Sequence, residues 1–154
     1  MQGITAPKTP IMELESHLFF LCTQVVYRRQ RALQKALKPI GLSATEFRIL
    51  SAALRKGPLS VRDMAEWTAF ERTRLTHSLD GLEARGWVAR NYAADDKRSV
   101  LVRITPAGKA IFERAKRIVD DVTDRIMGDV PSSQVTQLRH ALQTMRDKLI
   151  EMGD

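Results

Sequence analysis

A run of six residues carries five side chains that are basic or bear a hydroxyl group: Arg72, Thr73, Arg74, Thr76 and His77. Between and after them, Leu75, Leu79 and Leu82 recur at helical spacing and predict a helix whose leucines face inward. Arginine, threonine and histidine donate hydrogen bonds to phosphates and base edges, and a helix presenting them fits the DNA major groove. We therefore interpret residues 71–85 as a reading helix, the helix that would contact DNA.

The reading helix is followed by a pattern typical of a two-stranded ribbon. Segments WVARNY (87–92) and SVLVRI (99–104) predict the strands, and the polar segment AADDKR (93–98) predicts the turn between them. A basic ribbon tip beside a reading helix fits the minor groove or its phosphates. Capping signals at Ser43 and Ser60 predict helices that precede the reading helix. Together these patterns predict a winged helix-turn-helix module that binds DNA.

Helices predicted on both sides of this module have more apolar surface than a small winged helix needs. One covers residues 11–37 and ends at Pro39 and Gly41, and another runs from Pro106 to about residue 127. The last helix has apolar residues spaced 3-4-3-4-3, as helix-on-helix packing requires: Val135, Leu138, Leu142, Met145, Leu149 and Met152. We predict that these three helices form a homodimer platform.

The expected fold class is mainly α with a small β-hairpin wing (α+β). We expect a flexible arm at 1–10, an N-terminal dimerisation helix at 11–40, a DNA-binding lobe at 41–108 and C-terminal dimerisation helices at 109–154.

The composition is that of an ordinary globular protein with an excess of positive charge. The net charge of +7 and the pI near 10.0 favour a polyanionic partner, with nucleic acid first and an acidic membrane second. A single cysteine and the lack of a long apolar run or a signal-peptide pattern favour the cytoplasm and no membrane partner. Nucleotide-binding and hydrolase motifs are absent, and the three histidines are far apart. We expect no enzyme activity, no metal and no cofactor.

The segment from 82 to 108 strongly resembles the MarR family of bacterial transcription regulators. The family pattern is Leu-Glu-x-x-Gly, then an arginine six residues before Asp-x-Arg, then Leu/Ile-Thr and a glycine. The chain matches it without a gap at Leu82, Glu83, Gly86, Arg90, Asp96, Arg98, Ile104, Thr105 and Gly108. The resemblance extends from about residue 11 to the end of the chain.

The resemblance implies roles for the residues of the wing. Arg98 at the wing tip would enter the minor groove or contact phosphates, with Lys97 beside it, and Asp96 would hold the tip in shape through an ion pair. Arg90 would support the wing. His77 departs from the family, which often has arginine there. The resemblance further implies a homodimer on a pseudo-palindromic operator, with repression as the family default.

Many members of the family bind a small molecule between the dimer platform and the DNA-reading lobe. Aromatic acids and their coenzyme A thioesters are frequent effectors, and an aromatic wall with a cation fits such an anion. On this basis we expect a pocket formed by Phe20, Gln24, Tyr27, Arg31, Trp67 and Phe70. The expected partners are double-stranded operator DNA, a second copy of the chain and an aromatic or anionic effector.

Two other functions remain open from the sequence. One branch of the family senses peroxide through a cysteine on the first helix paired to tyrosines, and Cys22 lies on that helix. Cys22 falls nearly one turn from that branch's reactive position, and Ala44 and Phe47 occupy the tyrosine positions, so a buried hydrophobic role is favoured. The other is a dimeric adaptor of the same fold that does not bind DNA, against which the arginines of the reading helix argue.

Overall fold

The computed structural model describes residues 17–95 and 99–153. In chain order it contains α1 (Leu18–Leu37), α2 (Ala44–Lys56), β1 (Leu59–Ser60), α3 (Val61–Thr68), α4 (Arg72–Ala84), β2 (Val88–Tyr92), β3 (Val100–Ile104), α5 (Pro106–Met127) and α6 (Ser132–Glu151). The predicted arm, residues 11–16 of the predicted first helix, and the wing-tip residues Asp96, Lys97 and Arg98 lie outside the described residues.

Helix starts follow the capping signals in the sequence. Ser43 Oγ accepts from the Glu46 amide at 3.0 Å, and the Ser43 amide donates to the Glu46 carboxylate at 2.8 Å, which completes the predicted capping box. Ser60 caps α3 by accepting from the Asp63 amide at 3.0 Å. Thr105 caps α5 by accepting from the Gly108 amide at 3.0 Å. These caps fix where the helices around the reading helix begin.

The wing is part of a three-stranded antiparallel sheet of order β1-β3-β2. Strands β2 and β3 form the predicted hairpin, with Val88 opposite Ile104 and Tyr92 opposite Val100. The two-residue strand β1 pairs with the other edge of β3, with Leu59 opposite Val102. The predicted mainly helical winged fold is confirmed, and the third strand attaches the wing to the start of α3.

A continuous hydrophobic core joins the reading helix to the helices around it. Leu75, Leu79 and Leu82 have 0% of their surface exposed, which confirms the predicted inner face of α4. They belong to the same cluster as Leu50 of α2 and Phe112 of α5. The reading helix is therefore held by burial along its whole length, at about 25 cal/mol for each Å² of apolar surface removed from water.

Arg85 anchors the C-terminal end of α4 to the start of α2. Its Nη1 donates to the Gly41 carbonyl at 2.8 Å, and its Nη2 forms an ion pair with Glu46, the capping residue of α2. The guanidinium also lies over the Trp87 ring, 4.2 Å from its centroid. The orientation of the reading helix is thus tied to the residues that start α2.

The C-terminal helix α6 contains no buried residue in the single chain. Its leucines at the predicted heptad positions are exposed, with Leu142 at 42%. Helix α1 likewise exposes Leu21, Val25 and Val26. In residues 17–95 and 99–153, no helix has the length and hydropathy needed to cross a membrane.

Candidate nucleic-acid interface and adjoining cavity

A tight turn between α3 and α4 sets the position of the reading helix. Ala69 has φ of 56° and ends α3 in the left-handed conformation, with its amide donating to the Glu66 carbonyl at 3.3 Å. The buried Thr68 hydroxyl donates back to the Met64 carbonyl at 2.6 Å, so it needs no partner from solvent. Helix α4 then begins at Arg72, and its first three residues are exposed.

All five predicted reading residues on α4 are exposed, and four of them form an open polar face. Arg72, Thr73, Thr76 and His77 are all exposed. Thr73 and His77 lie opposite the buried leucines, Thr76 lies to one side, and Arg72 is exposed at the start of the helix. The Thr76 hydroxyl donates to the Arg72 carbonyl at 2.9 Å, which leaves its oxygen lone pairs able to accept from another donor. This face therefore offers two cationic or imidazole side chains and two hydroxyl groups to a groove.

Arg74, the fifth predicted reading residue, is held against the neighbouring helix. Its Nη2 donates to the hydroxyl of Thr45 on α2 at 2.7 Å. Its guanidinium carbon lies 5.0 Å from the centroid of the Phe70 ring. Arg74 is thus on the reading helix but makes its contacts within the protein.

Arg90 joins the wing to the reading helix. From β2 its guanidinium bonds Glu83 at 2.6 Å and Asp80 at 2.7 Å, both on α4. Its backbone amide donates to the same Glu83 carboxylate at 3.1 Å. The resemblance named Arg90 as wing support, and the structure supplies its partners. Glu83 belongs to the family motif, so the sequence pointed to it. Asp80 was not predicted, because only the folded structure places it beside β2.

We expect Glu83→Gln to loosen the first strand of the wing. The Arg90 amide and guanidinium would keep a neutral acceptor but lose the charged one, which is the stronger partner. Because the pair is partly exposed, amide hydrogen exchange in β2 should speed up only about two- to fivefold at neutral pH. The control is Asp121→Asn, which removes an ion pair with Arg125 on α5 and should leave exchange in β2 unchanged. Equal exchange in parent and Glu83→Gln would contradict this role.

The difference in β2 amide exchange between the parent and Glu83→Gln should disappear at acidic pH. The hydrogen bond from Arg90, above all, lowers the pKa of Glu83 below its usual range. A lowered pKa means that the ion pair stabilises the fold fully above the unfolded value of about 4.3 and loses its contribution as the pH falls through the folded pKa. Below that point the parent carries a neutral Glu83 and should exchange as Glu83→Gln does.

Beside the reading helix lies a cavity of about 630 Å³ between α1, α2 and the α3–α4 turn, which we call the arginine cavity. It is lined by Phe19, Cys22, Thr23, Val26, Tyr27, Gln30, Arg48, Ala69, Phe70 and Arg74. Its wall is mostly apolar and aromatic, with two guanidinium groups. Such a lining fits a flat organic anion, and the volume is in the usual range for small-molecule sites of about 300–1,000 Å³.

Of the six residues expected in an effector pocket, Tyr27 and Phe70 line the arginine cavity. Arg31 lies beside Tyr27 and donates to its hydroxyl at 3.3 Å. Trp67 lines a second cleft, together with Arg146 and Ile150 of α6. Phe20 and Gln24 line neither space. The expected stripe on α1 is about a quarter-turn from the one that faces the cavity, because successive helical residues are about 100° apart.

The sequence reasoning missed the two cations of the cavity wall. Arg48 Nη1 donates to the Thr68 carbonyl at 3.3 Å, and its guanidinium lies 4.8 Å from the Phe70 centroid. Burial lowers the pKa of Arg48, and the nearby Arg29 and Arg74 lower it further. Neither Arg48 nor Arg74 forms a salt bridge within the part of the chain that the structure describes. Among the described residues, the two guanidinium groups of the cavity wall have no acidic partner.

Cys22 is half-buried on the same wall. The two positions at which the peroxide-sensing branch has tyrosines hold buried Ala44 and partly buried Phe47, whose ring stacks on Phe112 with centroids 5.2 Å apart. Within residues 17–95 and 99–153, no three His, Cys, Asp or Glu side chains are grouped as metal ligands.

Comparison with known proteins agrees with this architecture. A sequence model of the MarR family matches residues 40–99, which include α2, the helix-turn-helix and the wing up to the start of β3. The transcriptional regulator PecS of Dickeya dadantii is 32% identical over 124 residues, covering 78% of this chain and 74% of PecS.

Solved structures are similar over most of the chain. CouR of Rhodococcus jostii RHA1 bound to p-coumaroyl-CoA aligns with a TM-score of 0.78 and 28% identity, covering 87% of this chain and 94% of that one. A mutant MarR of E. coli complexed with operator DNA aligns with a TM-score of 0.76 and 27% identity, covering 83% and 92%. With its exposed reading face, its wing and these relatives, the chain belongs to the MarR family of winged helix-turn-helix DNA-binding transcription regulators.

Proposed function

We propose that the protein is a homodimeric repressor that binds a pseudo-palindromic operator in the cytoplasm and is released by an aromatic anion. The observation that carries the proposal is the two-sided chemistry of α4. Its leucines are fully buried, whereas Arg72, Thr73, Thr76 and His77 are exposed, with Thr73 and His77 on the side opposite the leucines. These four side chains would contact base edges and phosphates in the major groove, and Arg74 would join them when DNA is bound.

The wing would contact DNA through Lys97 and Arg98, with Asp96 holding its tip. These assignments rest on the family resemblance, since the three residues lie outside the described ranges. The contacts of Arg90 support them indirectly. Because Arg90 ties β2 to Asp80 and Glu83, the wing and the reading helix would approach DNA as one unit.

The dimer would form through α1, α5 and α6, and residues 41–108 would make up the DNA-binding lobe. The exposed apolar side chains of α1 and α6 supply the surface that a second copy would cover. A two-fold dimer presents two copies of α4, which fit successive major grooves when they lie about 34–36 Å apart.

The effector would occupy the arginine cavity. Tyr27 and Phe70 offer aromatic faces, and Arg48 and Arg74 offer charge to a carboxylate or to the phosphates of coenzyme A. A relative of similar fold binds p-coumaroyl-CoA, which favours an aromatic acid or its coenzyme A thioester as the effector class here. Binding that favours a spacing of the reading helices unsuited to the operator would release the DNA.

The proposal is tested by fluorescence anisotropy with a duplex that the parent protein selects from a random-sequence pool. Binding should weaken by about 10³–10⁵ between 50 and 200 mM salt if six to ten phosphates are neutralised. Arg72→Ala should weaken it by roughly tenfold, whereas Arg114→Ala, the same loss of charge on α5, should not. Benzoate or p-coumaroyl-CoA should release the duplex, and Arg48→Gln should blunt that response.

Two outcomes would contradict the proposal. A parent protein that binds no duplex even at low salt is an adaptor of the same fold rather than a DNA-binding regulator. Binding of duplex that neither probe changes, together with thermal stability unaffected by either probe, would remove the aromatic-anion effector.

A further inference from the structure

Arg74 is the residue that the reading helix and the arginine cavity share. Successive helical residues are about 100° apart, so Arg74 lies about 60° around α4 from His77, at the edge of the exposed face. Its guanidinium, however, is at the cavity wall, bonded to Thr45 at 2.7 Å. One flexible side chain therefore has access to both the DNA side and the effector side.

The present position of Arg74 depends on two neutral partners. Thr45 is 7% exposed, so its hydroxyl is fixed by the packing of α2. Phe70 offers the face of its ring at 5.0 Å. Together these contacts hold the guanidinium without an acidic partner among the described residues. A hydrogen bond to a charged group still favours this position over a solvated one.

Electrostatic repulsion opposes this position. Arg48 approaches the same Phe70 ring at 4.8 Å, so two like charges share one aromatic side chain. The positive charge of Arg74 is one of the causes that lower the pKa of Arg48. Either of two events would relieve the repulsion: departure of Arg74 toward a phosphate or base, or arrival of an anion between the two guanidinium groups.

We propose that Arg74 is an exchangeable contact, which moves from Thr45 and Phe70 to DNA when the duplex binds and is retained at the cavity by an anionic effector. The proposal rests on the proposed function and specifies how the cavity and the DNA compete. An anion that bridges Arg48 and Arg74 withdraws a DNA contact from the reading helix itself. The effector shifts the equilibrium between Arg74 at the cavity and Arg74 at DNA. The size of that shift is set by how much more tightly the effector binds when Arg74 is at the cavity.

Thr45→Val tests the exchange, because it removes the hydroxyl and keeps the shape of the side chain. Losing the hydrogen bond destabilises the retained position, so the duplex should bind roughly three- to tenfold more tightly in the absence of effector. More benzoate should be needed for release. The measurement is anisotropy with the duplex selected by the parent. Thr45→Ser restores a hydroxyl and should reverse the gain.

A matched control is Thr123→Val on α5, where a threonine hydroxyl donates to the Val119 carbonyl at 2.8 Å. It makes the same chemical change away from the cavity and should leave duplex affinity unchanged. The decisive variant is Thr45→Val combined with Arg74→Ala. If Thr45 acts through Arg74, adding Thr45→Val to Arg74→Ala should change nothing.

Three results would overturn the inference. One is parental duplex affinity in Thr45→Val, and another is an effect of Thr45→Val that persists in the Arg74→Ala background. Both would leave the proposed function standing, since the parent still binds DNA. A parent that selects no duplex from the pool would overturn the proposed function and the inference together. Circular dichroism confirms that each variant is folded before its affinity is compared.

Discussion

Gly108→Ala is expected to lower the free energy of unfolding by about 3 kcal/mol or more, the upper range for forcing extra atoms into a packed site. A Cβ at this position would lie 1.9 Å from the Trp87 carbonyl oxygen and 2.9 Å from Ile104 Cγ1. The backbone cannot easily move away, because the same oxygen accepts from the Thr105 amide at 3.1 Å. The measurement is urea denaturation at neutral pH.

Gly81→Ala is the matched control for this prediction. Gly81 lies within α4, and its Cβ would meet nothing nearer than 3.7 Å. Alanine favours a helix over glycine by about 0.5–1 kcal/mol, so this variant should be as stable as the parent or more so. If Gly108→Ala unfolds at the parental urea concentration, the close packing of α5 against the wing is incorrect.

Leu142→Asp is expected to convert a dimer into a monomer and to weaken operator binding by at least about 100-fold. Leu142 lies on the exposed apolar stripe of α6, where a second copy would bury it. Burying an unpaired carboxylate in that interface costs several kcal/mol. Binding to a two-part site through two linked reading helices is about 10²–10⁴-fold tighter than binding through one. A monomer loses this gain in affinity.

Light scattering at micromolar concentration measures the first effect, and anisotropy with the selected duplex measures the second. Gln143→Asp is the control, since it adds the same charge to the next, exposed position of α6. It should remain dimeric and bind DNA as the parent does. A Leu142→Asp protein that stays dimeric would place the interface elsewhere, and a monomeric parent would remove the dimer from the proposed function.

Local signals in the sequence predicted the helices of the DNA-binding lobe. The capping box of Ser43 and Glu46 and the leucine spacing in α4 depend only on residues a few positions apart. Strand β1 was not predicted, because a strand of two residues is too short to show alternating apolar and polar residues. Its pairing with β3 depends on residues about forty positions later in the chain, as Leu59 opposite Val102 shows.

Site residues that lie on one helix were predicted from their types and their helical spacing. Site residues that come together only when helices pack were missed. The exposed face of α4 follows from the helical period. Arg48 meets Phe70 only through the packing of α2 against the α3–α4 turn, so no spacing in the sequence marks it. Arg74 is close to Phe70 in the sequence, but its bond to Thr45 joins residues 29 positions apart and likewise depends on the fold. On α1, a period of 3.6 residues fixes a stripe but not which stripe faces the cavity.

Because Arg85 anchors one end of α4, different residues of this helix are under selection for stability and for DNA recognition. Stability depends on its leucines and on the contacts of Arg85 with Gly41 and Glu46. The exposed side chains Arg72, Thr73 and His77 make none of these contacts, and substitutions at such positions usually change stability by no more than about 0.5 kcal/mol. Descendants of this protein can therefore acquire new operator preferences through a few mutations while the scaffold stays intact.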